Sequence, residues 1–442
     1  MWHTAQLTFQ SIIQAIFGSS SWMDLAMRFV PFVLFFELPV MLIITLGMIK
    51  FAIRQPYIQR VPSHFRSVSC IVTCYSEGRD VEQALYSLAH QIYPGRIEII
   101  AVIDGAMKNR ETLLAVKACS KSINSMPNRR LIVLPKWQRG GRVSSLNAGL
   151  SIATGEIVMA HDGDTSFDNN MVLMATRHFD DPNVAGVAGN LRARNASHTL
   201  ATRLQALEYM ISIGGGKTGL SEFNTVNNIS GAFGVFRANI LRLVGGWDSG
   251  TAEDLDITMR IKQYFGRKKG MRIVFDPYAV GHTDVPENFS GFFRQRLRWD
   301  GDLFYLYIRK YQYNIRPALL GWKNFFFTLV GGLFFQLVLP FIIPTYTLYL
   351  FLAYDPGIAL GVLFFVYLIY VFALAAFFSA YWLLVSERKK EDAFYFLYLP
   401  IFPLFAFANR INSAVALLHE IVNHGHLDSA MAPWWVLRKT KF

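Results

Sequence analysis

Charge is scarce in this chain. Asp, Glu, Lys and Arg make up 17% of its 442 residues, hydrophobic residues make up 52%, and the mean hydropathy is +0.28. That balance excludes an ordinary soluble enzyme. The shortage is also local. Residues 325–352 and 357–385 hold no charged side chain, residues 30–48 hold only Glu37, and residues 393–408 form a shorter uncharged run. A run of about 18 or more apolar residues reads as a membrane-spanning helix, so the first three are expected to span. The fourth carries Pro400 and Pro403 and is followed by Arg410; it reads as re-entrant, interfacial or a kinked span.

Cysteine is scarcer still. Cys70, Cys74 and Cys119 are too few for a disulfide framework. Cys70 and Cys74 fall on one predicted strand, too far apart along it to share a metal, so reduced, buried thiols are expected. The N-terminus has neither a basic n-region nor a small-residue cleavage site, so no signal peptide is expected. Residues 7–17 are too short to span and read either as an interfacial helix or as a tail.

The net charge of +12 follows the membrane runs. Arg54, Arg60 and Arg66 come after the first, and Arg388, Lys389 and Lys390 after the third, while "AYDP" between the second and third carries only Asp355. By the positive-inside rule the polar middle of the chain and the "SERKKED" loop are expected in the cytoplasm, with Asp355 outside. The lipid bilayer, rather than nucleic acid, accounts for the excess. The basic tail "WWVLRKTKF" favours a cytoplasmic C-terminus, whereas alternation of four spans puts it outside. The expected organisation is a membrane segment at 1–58, a globular domain at 59–285, interfacial helices at 286–324, a membrane region at 325–418 and a basic tail at 419–442.

Within the globular part, strand-like "SVSCIVTCY", "IEIIAVID", "RLIVLP" and "EIVMAHD" alternate with helical "GRDVEQALYSLAHQIY", "ETLLAVKACSKSI" and "RVSSLNAGLSIA". This alternation predicts an α/β fold with a doubly wound, mostly parallel sheet. Such sheets bind ligands at the carboxyl ends of their strands, where Thr73, Tyr75, Glu77, Asp104, Asp162 and Asp164 fall.

In "AHDGDTSFD" two carboxylates, Asp162 and Asp164, stand either side of a glycine. Their oxygens suit Mg²⁺ or Mn²⁺. "KWQRGGRVSSLNAGL" sets Arg139 and Arg142 around paired glycines before a helix, which suits a diphosphate. Glu253, Asp254 and Asp256 open a predicted helix, where acids also serve as caps. In "QRLRW", Gln295 shares a helical face with Arg298 or Trp299. "GGGKTG" at 214–219 suggests a phosphate loop but has Ile211 where the pattern needs glycine, and no strand precedes it.

Taken in order, Asp104, the "DGD" of 162–164, the "ED" of 253–254 and the Gln-x-x-Arg-Trp of 295–299, followed by membrane runs, resemble the membrane-embedded family 2 glycosyltransferases. These are the synthases of poly-N-acetylglucosamine, chitin oligosaccharide, hyaluronan and cellulose. The chain departs from their pattern at "YSE" (Tyr-Asn-Glu in the family), at "TAED" (Thr-Glu-Asp) and at Arg142 (commonly Lys).

The resemblance implies a GT-A fold, a UDP-sugar donor and inversion at the anomeric carbon, with a β-linked glycan growing and crossing the membrane. N-acetylglucosamine is the first expectation and glucose the second. By the same resemblance Asp254, with Glu253 beside it, supplies the base; Asp162 and Asp164 hold the divalent ion; Thr73, Tyr75, Glu77 and Asp104 hold uridine; Arg298 faces the leaving group. Gln295 and Trp299 hold the acceptor glycan. His282 is a further metal contact or a packed histidine. Gln336 and Asn324 are candidates to line the glycan's route, and Glu37 either joins them or is paired within the bundle. An accessory membrane or periplasmic export subunit is a candidate partner. Two rival readings are transfer of a single sugar to a lipid carrier and a non-enzymatic transporter or sensor.

Overall fold

The computed structural model describes residues 37–57, 61–248 and 252–423. The segment at 7–17, most of the basic tail, Arg60, Thr251 and the start of the 30–48 run lie outside them.

Helix α1 (Leu38–Arg54) leads into the domain. There β1 (Val68–Cys74), α2 (Val81–Ala89), β2 (Ile97–Ile103), α3 (Arg110–Asn124), β3 (Arg129–Pro135), α4 (Gly141–Ile152) and β4 (Ile157–Asp162) follow as the sequence pattern predicts. The central strands β1 and β2 are buried along their whole length, as parallel strands between two helical layers must be, while the edge strand β3 is mostly half-buried. Then come β5 (Ser166–Phe167), β6 (Val184–Ala193), β7 (Phe233–Arg237) and β8 (Arg272–Thr283).

One eight-stranded sheet runs β3-β2-β1-β4-β7-β6-β8-β5. The β1–β2, β2–β3, β1–β4 and β6–β8 pairs are parallel, and β7 is antiparallel to both of its neighbours. Two apolar cores lie on its two faces. One gathers Cys70, Val72, Leu85, Ile99 and Val116, the other Ile71, Ile100, Leu146, Phe236 and Ile257. Each such side chain, fully buried, contributes roughly 1.5–3 kcal/mol. The three cysteines are free and buried, and burial pushes the Cys70 thiol up to about 12. They are packing residues.

Among the described residues three helices are long and apolar enough to cross a membrane: Leu38–Tyr57, Pro317–Ala353 and Ala359–Leu384. The second begins before the uncharged run that announces it. The run at 393–408 becomes Lys389–Tyr398 and Phe402–Val422, bent by 75° at their junction, and makes a fourth span if the pair is counted as one. Met48 and Phe51 of α1 share an apolar cluster with Phe377, Phe378 and Tyr381 of the third span and with Leu207 and Met210 of the domain, which joins the domain to the bundle. Glu37 hydrogen-bonds Tyr370 and lies 3.5 Å from Arg410, so it is paired inside the bundle. Asn324 donates to the Asn224 carbonyl at 2.9 Å, seating the second span on the domain, while Gln336 is exposed.

Candidate functional site

The parallel register brings Thr73 directly beside Asp162 at the carboxyl ends of β1 and β4. Gly163 then turns the chain so closely over β1 that a Cβ there would meet Glu77 Cδ at 3.0 Å and the Thr73 carbonyl at 3.1 Å. Glycine is the residue that permits this approach. Asp164, one residue on, is exposed at the cleft. The surrounding walls still desolvate its carboxyl enough to raise its pKa, and Arg194 opposes that shift.

Asp104 follows β2, and both of its carboxylate oxygens are hydrogen-bonded. Oδ1 accepts from Lys136 Nζ and from the Gly140 amide, both at 2.8 Å, and Oδ2 accepts from the Gly141 amide at 2.9 Å. Asp104 therefore pins the loop at 136–141. That loop presents Arg139, which is exposed and lies over the Tyr75 ring at 4.6 Å, a cation–π contact.

Arg142, at the start of α4, turns inward. Its Nε donates to Glu253 Oε1 at 2.5 Å, its Nη1 to Thr73 Oγ1 at 3.1 Å and to Asp162 Oδ1, and its Nη2 to the Gly231 carbonyl at 2.7 Å. One guanidinium thus ties the "DGD" pair to the "ED" pair, using the several donors of its planar fork. Glu253 opens α5 (Glu253–Lys262) and is 7% exposed. Burial raises its pKa and Asp254 adds to the shift, while Arg142 pulls it down.

Asp254 is half-buried. Its Oδ1 accepts from the Leu255 amide at 2.8 Å; its Oδ2 accepts from Asn228 Nδ2 at 3.1 Å and from the Gly231 amide at 3.2 Å. The two adjacent acids are therefore differently placed: Glu253 is locked to a cation and Asp254 is held only by neutral donors. Asp256 differs again. It is fully buried among Arg260, Lys310 and the Tyr311 hydroxyl, so it ties helices together.

The Gln-x-x-Arg-Trp motif lies on α6 (Phe289–Phe304). Gln295 Oε1 is buried and accepts no hydrogen bond from the described residues, an unusual state for a buried polar atom. Arg296 was not singled out by the sequence, yet it pairs with Glu208 at 2.6 Å and covers the Trp299 ring at 4.5 Å. Arg298 is partly exposed and makes no ion pair among the described residues. His282 bonds Asp168 at 2.9 Å, and Arg388 joins the same carboxylate at 2.9 Å. It is a packed histidine in a polar cluster.

The donor chemistry of Asp162 and Asp164 fits a hard divalent cation, since both offer only oxygen. Among the described residues no group of three or more Asp, Glu, His or Cys forms a metal site. An ion there would complete its shell from substrate oxygens and water, as Mg²⁺ commonly does.

Two poly-beta-1,6-N-acetyl-D-glucosamine synthases, from Staphylococcus aureus (strain COL) and Staphylococcus epidermidis (strain RP62A), are each 30% identical over 234 residues, 52% of this chain and 53% of the relative. The chain spans about half the length of the curated relatives it matches. Among solved structures, a mannosyltransferase from Pyrobaculum calidifontis in complex with GDP-Man and Mn²⁺ superposes with a TM-score of 0.51 at 19% identity, covering 86% of this chain and 98% of that one. The shared architecture is the GT-A fold. The profile described as glycosyl transferase family group 2 matches residues 157–385, which include the "DGD" pair, the "ED" pair and the Gln-x-x-Arg-Trp helix. The chain belongs to that family.

Proposed function

We propose that this protein is an inverting, processive glycosyltransferase that builds a β-linked polysaccharide from a UDP-sugar and passes it across the membrane. The observation that carries this reading is the single cleft in which Arg142 joins Asp162 to Glu253, with Asp254 next to it. A donor-side acidic pair and an acceptor-side acid meet there within a few side chains. N-acetylglucosamine is the first-choice sugar, because the relatives named above are synthases of its polymer.

Arg139 and the loop pinned by Asp104 flank the place of the uridine diphosphate, with Tyr75, Thr73 and Glu77 on its nucleoside side. Asp162 and Asp164 would hold a divalent cation, Mg²⁺ or Mn²⁺, which supplies positive charge to the diphosphate. The acceptor hydroxyl oxygen bonds to the anomeric carbon from the face opposite the diphosphate. As it does, the bond from that carbon to the phosphate oxygen breaks, and the electron pair leaves with UDP. Asp254 takes the hydroxyl proton. Arg142 and Arg298 add fixed positive charge on the leaving-group side. Gln295 and Trp299 hold the acceptor sugar, by hydrogen bond and by ring face. The product's new end is the next acceptor. The domain lies on the cytoplasmic side of a bacterial inner membrane, consistent with the basic residues that flank the spans.

The test is reconstitution into sealed vesicles with the catalytic face outward and UDP-N-acetylglucosamine supplied outside. Long glycans shielded in the lumen from an added glycosidase support coupled synthesis and export. Glycans wholly digestible from outside remove the export claim, and products of one or two sugars remove processivity.

A further inference from the structure

"GGGKTG" forms the end of a π-helical segment, Met210–Lys217, and the start of a short helix, Thr218–Glu222. Its glycines are a joint. A Cβ on Gly219 would lie 2.3 Å from the Ile44 carbonyl oxygen of α1, a Cβ on Gly47 of α1 would lie 2.3 Å from the Gly219 carbonyl, and a Cβ on Gly214 would lie 2.7 Å from Tyr381. Membrane helices and catalytic domain touch here backbone to backbone, which only residues without side chains allow.

Lys217 sits inside this joint, 5% exposed, with its Nζ donating to the Asn228 carbonyl at 3.0 Å. Among the described residues no carboxylate forms an ion pair with it, and the same holds for Lys262, 6% exposed. A buried ammonium without a carboxylate partner is costly and needs a reason. Asn228 supplies one. Its side-chain amide and the Gly231 amide hold Asp254 Oδ2, while the Ile229 amide donates to Thr258 Oγ1 at 2.9 Å, and that hydroxyl donates to the Asp254 carbonyl at 2.7 Å. The segment 228–231 is therefore a clamp on Asp254, and Lys217 holds it from behind.

We propose that Lys217 is a positioning residue for Asp254. It sets the acceptor-side carboxylate through Asn228 and couples that setting to the seating of the catalytic domain on the membrane helices. This rests on Asp254 being the base. The ligand it serves is the acceptor hydroxyl, not the nucleotide, so its loss is felt in turnover and not in donor binding.

The test uses the full-length protein in detergent with three variants: Lys217→Met, Lys217→Gln and, as control, Asp254→Asn. Turnover, UDP affinity and melting temperature are measured for each. Lys217→Met is expected to melt at or above the wild-type temperature, since the unpaired buried charge is gone. It should bind UDP within twofold and turn over about 10- to 100-fold more slowly, the scale on which small misplacements act. Lys217→Gln returns an N–H donor towards Asn228 and should regain part of that loss. It also carries the test if the Met variant does not fold. Wild-type turnover in Lys217→Met beside an inactive Asp254→Asn overturns this inference alone. A joint fall in turnover, UDP affinity and melting temperature overturns it in favour of a purely structural lysine. Glutamine no better than methionine overturns the hydrogen-bonded link. An active Asp254→Asn overturns the base assignment, and this inference with it.

Discussion

Arg142 Nε lies 2.5 Å from Glu253 Oε1, across 111 residues of chain, and the same guanidinium bonds Asp162. The contact joins the two acidic motifs of the cleft through one cation. Removing it as Arg142→Met leaves Glu253 buried without its partner. The expected loss is roughly 2–4 kcal/mol of stability, below the usual cost of a broken buried pair because Arg142 keeps some solvent access. In a double-mutant cycle with Glu253→Gln the two losses should be strongly non-additive, as they are for residues in contact. Additive thermal shifts would show that the pair is not coupled.

Asp254→Asn should abolish sugar transfer, about 10²- to 10⁴-fold, with UDP binding nearly intact. Calorimetric titration of UDP alongside a turnover assay checks both halves. Turnover near wild type would pass the role to Glu253.

Asp256 is the contrasting acid. It meets Arg260, Lys310 and Tyr311 at 2.6–2.8 Å with no solvent exposure. Asp256→Ala removes the shared partner of the half-buried Arg260 and Lys310, of which Lys310 keeps Asp248, and should cost about 2–4 kcal/mol. Its effect should appear in the melting temperature and expression level. A stable but inactive variant would instead place Asp256 in the chemistry.

Chelation should stop turnover, and Mg²⁺ or Mn²⁺ should restore it. Asp164→Asn should raise the metal concentration needed. Equal activity with and without chelator would remove the ion from the account.

Burial lowers the Lys217 pKa to about 8 and that of Lys262 to about 7, from 10.5 in each case; nearby Asp254 opposes the first shift and Lys217 deepens the second. Between the folded and ordinary values the unfolded chain binds more protons, so stability rises with pH across about 8 to 10.5 for Lys217 and about 7 to 10.5 for Lys262. Other groups titrate there as well, so the readout is the difference between wild type and Lys217→Met. The variant's gain in stability should be largest below pH 8 and shrink as pH rises. A gain independent of pH would mean that folding does not lower the Lys217 pKa.

Much of this was legible in the sequence. The β-branched runs announced β1 to β4, and strand-end chemistry picked out Thr73, Asp104, Asp162 and Asp164. The uncharged runs marked the spans, although Pro317 opens the second one early because its first residues carry Lys323 and Asn324. What sequence could not supply was direction and partnership between distant segments. Arg142 reads as a diphosphate ligand in a basic loop, and only the fold turns it towards Glu253. Asp104 reads as a ligand carboxylate, and only the fold fills it with loop amides. His282 meets Asp168 and Arg388 through contacts spanning more than a hundred residues. In "QRLRW" the arginine that covers Trp299 is Arg296, because Glu208 on a separate helix holds it there. Lys217 carried a signal, a lysine in an apolar glycine-rich stretch, but its partner Asn228 belongs to a loop that periodicity does not reach.

Trp299→Ala should shorten the product more than it slows UDP release, since an aromatic platform supplies contact area and orientation for the acceptor. Sizing the glycan at matched turnover checks this. Unchanged chain length would take Trp299 out of acceptor binding.

The most direct measurement supplies the purified, membrane-reconstituted protein with a panel of UDP-sugars and Mg²⁺ or Mn²⁺, following released UDP and product length together. UDP release is expected with one amino-sugar or glucose donor, with many donor equivalents incorporated per chain and neither signal from Asp254→Asn. No UDP release from any donor, or release equal in wild type and Asp254→Asn, would contradict the proposed function.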